Sequence, residues 1–313
     1  MKKTWQFATL AAAACLGLSA CSGGTAGAGA SSQVGAESGP QDVTAPIVKA
    51  VTKDDKLAGQ VAGLQGKPIV VGANLQTPPN GFLAADARTP IGFEIDLITA
   101  INKKLGLETQ VQNLPFDTLI TSLQSKRVSM TISSMNDNAT RQEKIDFVDY
   151  FNSGITLMVK KGNPSGIKSP EDLCGKKAST APGSSQEEWM EKVGPTMCQA
   201  KGKPPIQIVT SNLDQQRLND LKSGRNDTEV NDLPYVSYAT TNAGKGQDFE
   251  AVPGKPILAT PYGIGFHKET PELRDAVRDA LQGLIDDGTY GKILKAWNVS
   301  NGAIVKTVVN GGK

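Results

Sequence analysis

An arginine follows a run of small polar side chains in SSMNDNATRQEKIDF, residues 133–147. A guanidinium stays charged and presents a planar donor fork that matches a carboxylate. Alone, Arg141 is as readily a solvated helix residue. The alternating stretch VSMTISSM ahead of it changes the weighing, because it predicts a strand whose carboxyl end opens onto the polar run. Covalent and metal chemistry have less support. The one histidine, His267, lies in GIGFHKE near a predicted strand end, Ser184 and Ser185 have no evident base, and no phosphate loop, Gly-x-Ser-x-Gly or metal-ligand cluster occurs. The expectation is a binding protein, not an enzyme, with no cofactor and no metal.

Those residues need a scaffold, and the composition allows one. The chain has 313 residues, 38% hydrophobic and 20% charged, which suits one large or two moderate globular domains. A net charge of +2, without a basic run interleaved with aromatics, argues against a nucleic-acid partner.

Lys2, Lys3, a short apolar stretch and small residues before Cys21 form the pattern of an export signal over residues 1–20. LSAC at 18–21 resembles the lipobox of bacterial lipoproteins, which implies cleavage and acylation at Cys21. The Gly-, Ala- and Ser-rich chain that follows predicts a flexible tether within 21–65. With Cys15 in the signal and Cys21 at the lipid, Cys174 and Cys198 are left in an oxidising compartment, where a structural disulfide at exposed element ends is expected.

Beyond the tether, apolar periodicity alternates between strand and helix. PIVVGANL reads as a buried strand, and FEIDLITAINKKLG puts Leu97, Ile98, Ile101 and Leu105 on one helical face. Asp117 is a candidate helix cap. A second alternating set runs through KKAST, SSQEEWMEKV, IQIVT, LDQQRLNDLKSG and TEVND, and then YGIGF precedes a helix carrying Leu273, Val277, Leu281 and Leu284. This predicts an α/β fold of two lobes, each a mainly parallel sheet flanked by helices. Residues 66–153 plus 259–313 would form lobe 1 and 154–258 lobe 2, joined by hinge crossings near 153–155 and 259–261, with a cleft between them.

GFEIDL, FDTLITSLQS, SSMNDNATRQEKIDFVDYF, GRNDTEVND and LIDDGTYGKILKAW, in this order, resemble the extracellular solute-binding proteins of polar amino-acid ABC transporters. The downstream cysteine pair resembles their actinobacterial lipoprotein branch. The resemblance implies a periplasmic-binding-protein-like fold that closes on one amino acid. It gives Arg141 to the ligand α-carboxylate, assisted by Asn136 and by the N–H of Ser185. Ser134 and Asp232 would meet the α-amino group, Phe116 would form a wall, and Asn74 and Thr77 would touch the ligand side chain. Asn136 stands where the family usually has a small hydroxyl, and Thr77 where an aromatic is frequent.

Neutral Asn74 and Thr77 favour a polar, uncharged ligand such as glutamine. The implied partners are an ABC permease with its ATPase and the membrane, reached through the lipid anchor, the protein acting as a monomer on the extracellular face of the cytoplasmic membrane. Two rivals stand beside this reading: a lyase or dehydratase on the same fold, and a lipoprotein sensor that does not transport.

Overall fold

The computed structural model describes residues 42–312, so the expected signal at 1–20, Cys21 and the tether up to residue 41 lie outside the described residues. Residues 45–64, expected to continue the tether, instead form α1 (Ala45–Ala50), α2 (Asp55–Gln60) and a 3-10 turn. Asp54 caps α2 by accepting from the backbone N–H groups of Lys56 and Leu57. Val51 and Val61 join the largest core cluster. Ten of these 20 residues are hydrophobic, against 38% of the whole chain, enough apolar surface to dock the segment on that core.

β1 (Pro68–Ala73) is followed by three short strands, β2 (Gln76–Thr77), β3 (Gly81–Leu83) and β4 (Pro90–Ile91), then α3 (Phe93–Lys104) and β5 (Glu108–Asn113). Next come α4 (Leu119–Gln124), β6 (Met130–Thr131), α5 (Ala139–Gln142) and the long β7 (Asp146–Lys160). The second alternating set is β8 (Lys177–Thr180), α6 (Ser185–Lys192), α7 (Gly194–Ala200), β9 (Gln207–Thr210), α8 (Asp214–Ser223), β10 (Thr228–Asp232), α9 (Leu233–Asn242) and β11 (Phe249–Ala251). β12 (Ile257–Phe266), α10 (Pro271–Asp286) and α11 (Thr289–Ala296) complete the order.

The helical stripes bury as periodicity predicts: Leu97, Ile98, Ile101 and Leu105 of the α3 region and Leu273, Val277, Leu281 and Leu284 of α10 are all in the core. Asp117 does not cap a helix. Phe116–Thr118 is a 3-10 turn, and α4 begins after it at Leu119, its N-cap Thr118 making no side-chain cap.

The strands lie in the order β5-β1-β6-β12-β7-β10-β8-β9, with β11 paired to β7. β5, β1 and β6 are parallel, as are β10, β8 and β9, while β12 and β7 run antiparallel to their neighbours. The short strand YGIGF is the end of the longer β12, and β7 likewise runs unbroken from Asp146 to Lys160. β7 and β12 pair with each other through the middle of the molecule, so their backbone groups are satisfied without a loop.

β7 passes from one core to another. Val148, Tyr150 and Phe151 belong to the first, with Tyr262 stacked on Phe151, whereas Ile155, Leu157 and Val159 belong to a second built on β8, β10 and α6. Gly154 sits at the passage, where an added Cβ would come within 2.8 Å of Pro256 Cβ. Glycine permits that close strand approach.

Cys174 and Cys198 are bridged, with their Cα atoms 5.4 Å apart. Both are buried rather than at exposed ends. Cys198 lies within α7, and Cys174 follows the turn Pro170–Leu173, so the bridge pins helix to turn from inside.

Candidate ligand-binding site

The carboxyl ends of β1, β6, β8 and β10 and the start of α6 converge on a small cavity of about 50 Å³. Asn74, Thr77, Phe116, Ser134 and Asn136 wall it on one side, and Ser185 and Asp232 on the other. The sequence-predicted residues are therefore brought together, Arg141 excepted.

Arg141 sits just behind the wall. Asn138 caps α5 by accepting from the Arg141 backbone N–H at 2.9 Å, and this aims the side chain inward. Its Nη1 donates to Asn136 O at 2.8 Å and its Nη2 to Gly183 O at 3.0 Å, while the guanidinium lies 5.7 Å from the centre of the Phe116 ring. Burial lowers its pKa, opposed by Glu188, Asp232 and Asp137. It stays a cation.

Asp232 ends β10 and enters α9, 5% exposed, and its Oδ1 has no protein partner. Burial pushes its carboxyl up to about 6; nearby Tyr262, Gln186 and the Arg141 charge pull the other way. Ser185 opens α6 behind the N-cap Ser184, whose Oγ accepts from Glu187 N at 3.2 Å. The Ser185 Oγ is buried without a protein partner, beside a helix start whose first N–H groups favour an anion.

Asn74 follows β1; its backbone N–H donates to Ser133 Oγ at 3.0 Å, and its Oδ1 is unpartnered. Thr77 stands on β2 in the same wall. Asn136 is tied sideways, its Nδ2 donating to Thr260 Oγ1 on β12 at 2.7 Å. The amide that replaces a small hydroxyl thus fastens the polar loop to the crossing strand.

Ser134 takes a left-handed backbone, φ +51°. Its N–H and Oγ both donate to Glu94 Oε1, at 2.7 and 2.8 Å, and the same Oγ accepts from Asn80 Nδ2. The side chain is held by the protein, whatever its carbonyl meets. Glu94 also accepts from the Tyr150 hydroxyl, and burial lifts its carboxyl to about 7 against these hydrogen bonds. Sequence reasoning overlooked it because an acid in the first turn of a helix is ordinarily a solvated dipole partner.

A second charged group was also overlooked. Arg217 on α8, 1% exposed, donates through Nη2 to Asp214 Oδ1 at 2.5 Å, through Nε to Glu229 Oε1 at 3.0 Å, and through Nη1 to Ser211 O. Asp214 and Arg217 are in the cavity wall. In sequence, Asp214 and Arg217 read as an i,i+3 pair on a solvated face. His267 lies apart from this cavity, its Nδ1 accepting from Glu269 N at 3.1 Å. Among the described residues no cluster of His, Cys, Asp and Glu could hold a metal ion, and no helix is long and apolar enough to cross a membrane.

Two cores joined by paired strands, with a polar cavity at the strand ends between them, define a two-lobe solute-binding protein. The chain belongs to the bacterial extracellular solute-binding proteins, family 3, matched over residues 69–300. It is 29% identical to the arginine-binding protein ArgT of Corynebacterium glutamicum over 242 residues, 77% of this chain and 78% of that one. It is 30% identical to the L-cystine-binding protein TcyJ of Escherichia coli K12 over 230 residues, 73% and 82% of the two chains. Among solved structures it resembles an ancestral arginine-binding protein bound to arginine, with a TM-score of 0.67, 34% identity, and coverage of 75% of this chain and 99% of that one.

Proposed function

We propose that this protein is the substrate-binding subunit of an ABC importer, which captures an amino acid by closing its lobes and passes it to a membrane permease. The observation that carries the reading is the Arg141 hydrogen bond to Gly183, made beside a cavity that Asp232 also faces. Arg141 comes from α5, beyond β6, and Gly183 and Asp232 from the β8 and β10 side.

A zwitterion has a charge for each. Its carboxylate takes the remaining Arg141 donors and the α6 N-terminus, and its ammonium takes the unpartnered Asp232 oxygen. Hydrogen bonds to charged groups contribute about 1.5–3 kcal/mol each. Three or four of them support a micromolar complex near about −8 kcal/mol after ordering costs.

Lobe 1 is assigned to residues 66–153 plus 259–313 and lobe 2 to 154–258. A ligand that touches both binds the closed arrangement better and shifts the population toward it. The names of the curated relatives support an amino-acid ligand, and its side chain is assigned to the Asn74 and Thr77 wall. Acylation at Cys21 would keep the protein at the outer face of the cytoplasmic membrane.

Isothermal calorimetry with the common amino acids tests this. Arg141→Ala is expected to weaken every amino acid that binds the wild type by at least tenfold; an affinity within twofold removes the carboxylate assignment.

A further inference from the structure

Resting on the amino-acid-binding reading, we infer that Asp214, held in the cavity wall by Arg217 and Glu229, selects ligands whose side chain ends in a cation, an ammonium or a guanidinium. The cluster is placed for this. α8 approaches β2, so Asp214 and Arg217 stand on the Thr77 side of the cavity, where the ligand side chain is expected.

Charge balance sets the class. In and just behind the cavity wall, the guanidiniums of Arg141 and Arg217 are outnumbered by the carboxyl groups of Asp214, Glu229, Asp232 and Glu94, all of them buried. A zwitterionic main chain adds no net charge. A cationic side chain reduces that acidic excess whereas an anionic one adds to it, and an uncompensated buried charge is strongly unfavourable. Glu94, behind Ser134, adds acidity on the opposite wall.

Arg217 does not invite an acidic side chain. Three of its five N–H donors are taken by Glu229, Ser211 and Asp214, and its single charge is already met by two carboxyl groups. What the cluster leaves over is acceptor: Asp214 Oδ2 and Glu229 Oε2 are buried without a protein partner, and Asp214 is 5% exposed. A cation is the group that an unpartnered carboxylate oxygen in a cavity wall recognises. This departs from the glutamine-like ligand that Asn74 and Thr77 favoured, because those residues describe one wall only.

Burial lifts Asp214 to about 7, opposed by Arg217 and reinforced by Glu229, with the Tyr235 hydroxyl the remaining titratable neighbour on α9. A bound cation favours its ionised form, so binding near pH 7 releases a proton.

The experiment is calorimetry on the full chain at pH 7 with L-arginine, L-lysine, L-glutamine and L-glutamate, each in two buffers of different ionisation enthalpy. Arginine or lysine is expected to bind at least tenfold more tightly than glutamine, with glutamate weakest and with proton release on cation binding. Asp214→Asn is expected to lower the arginine-to-glutamine affinity ratio at least tenfold. Glutamine or glutamate binding as tightly as either cation overturns the inference and leaves amino-acid capture standing. No binding of any common amino acid overturns both. The wild-type ratios decide the matter even if Asp214→Asn fails to fold.

Discussion

The Nη2 of Arg141 donates to the carbonyl oxygen of Gly183 at 3.0 Å, joining α5 to the turn that starts α6. Gly183 holds φ +70°, and its own N–H donates to Glu187 Oε2 at 2.7 Å. The turn therefore presents its carbonyl to the arginine from a backbone conformation that L side chains rarely adopt.

Gly183→Ala tests how much that turn matters. A left-handed backbone costs a non-glycine residue roughly 1–2 kcal/mol, and the new Cβ would lie 3.4 Å from Asp117 Cβ. The turn should relax and carry its carbonyl away from Arg141. We expect amino-acid affinity to fall about fivefold or more, the equivalent of roughly 1 kcal/mol or more. Unchanged affinity at a lowered melting temperature would give the turn a purely structural role.

Acidification should act in opposite directions on stability and on binding. Burial raises Asp232 to about 6 and Glu94 and Asp214 to about 7. A carboxyl whose folded pKa exceeds its unfolded one favours the folded state fully below the unfolded value, and that contribution is lost as pH rises through the folded value. The melting temperature of the unliganded protein should thus rise from pH 8 to pH 5. Affinity for an amino acid should fall over the lower part of that range, because a neutral Asp232 no longer meets an ammonium. Parallel changes in melting temperature and affinity would contradict the assignment.

Phe82 of β3 and Tyr238 of α9 meet with ring centroids 6.1 Å apart, and Trp297 meets Phe82 edge-on at 5.8 Å. With the lobes assigned as proposed above, the first contact links them away from the polar cavity, and we expect it to favour the closed arrangement in the absence of ligand. Aromatic pairs contribute about 0.5–1.5 kcal/mol beyond area burial. Tyr238→Ala should enlarge the unliganded radius of gyration in small-angle scattering and weaken binding a few-fold. No change in the unliganded scattering profile would remove the latch role.

The Cys174–Cys198 bridge spans a sequence separation of 24. Closing a loop of that length restricts the unfolded chain by roughly 3 kcal/mol. The double Cys174→Ser, Cys198→Ser variant should lose about that much stability in denaturant titrations, with ligand affinity nearly preserved, since neither cysteine lines the cavity. An equally stable double variant would show that native strain cancels the constraint.

Much of this organisation is legible in the chain. The α3 and α10 stripes, the strand ahead of residues 133–138 and the pairing of the two late cysteines follow from local pattern and compartment. The polar run is legible as donors near Arg141, yet its division of labour is not. Asn136 fastens the loop to Thr260, and Ser134 binds Glu94, because residues more than a hundred or about forty positions away arrive beside them. The docking of α1 and α2 escapes notice for a related reason. Residues 45–64 are rich in apolar side chains, but they follow a Gly-, Ala- and Ser-rich stretch, and the surfaces they pack on, α3, α10 and α11, come from far along the chain.

Periodicity, turn residues and charge pattern were enough to establish the alternation of strands and helices, and to mark Arg141 as a candidate for anion recognition. These are properties of a residue and its near neighbours, which the backbone geometry of each element imposes locally. Whether a charge is solvated or enclosed is another matter, settled when surfaces distant along the chain meet. Asp214, Arg217 and Glu229 look like ordinary exposed residues until α8 packs on β10, and only that packing makes them a buried charged wall. The continuous β7 and β12 crossings arise in the same way, since each strand supplies the hydrogen-bond partners that let the other run on unbroken.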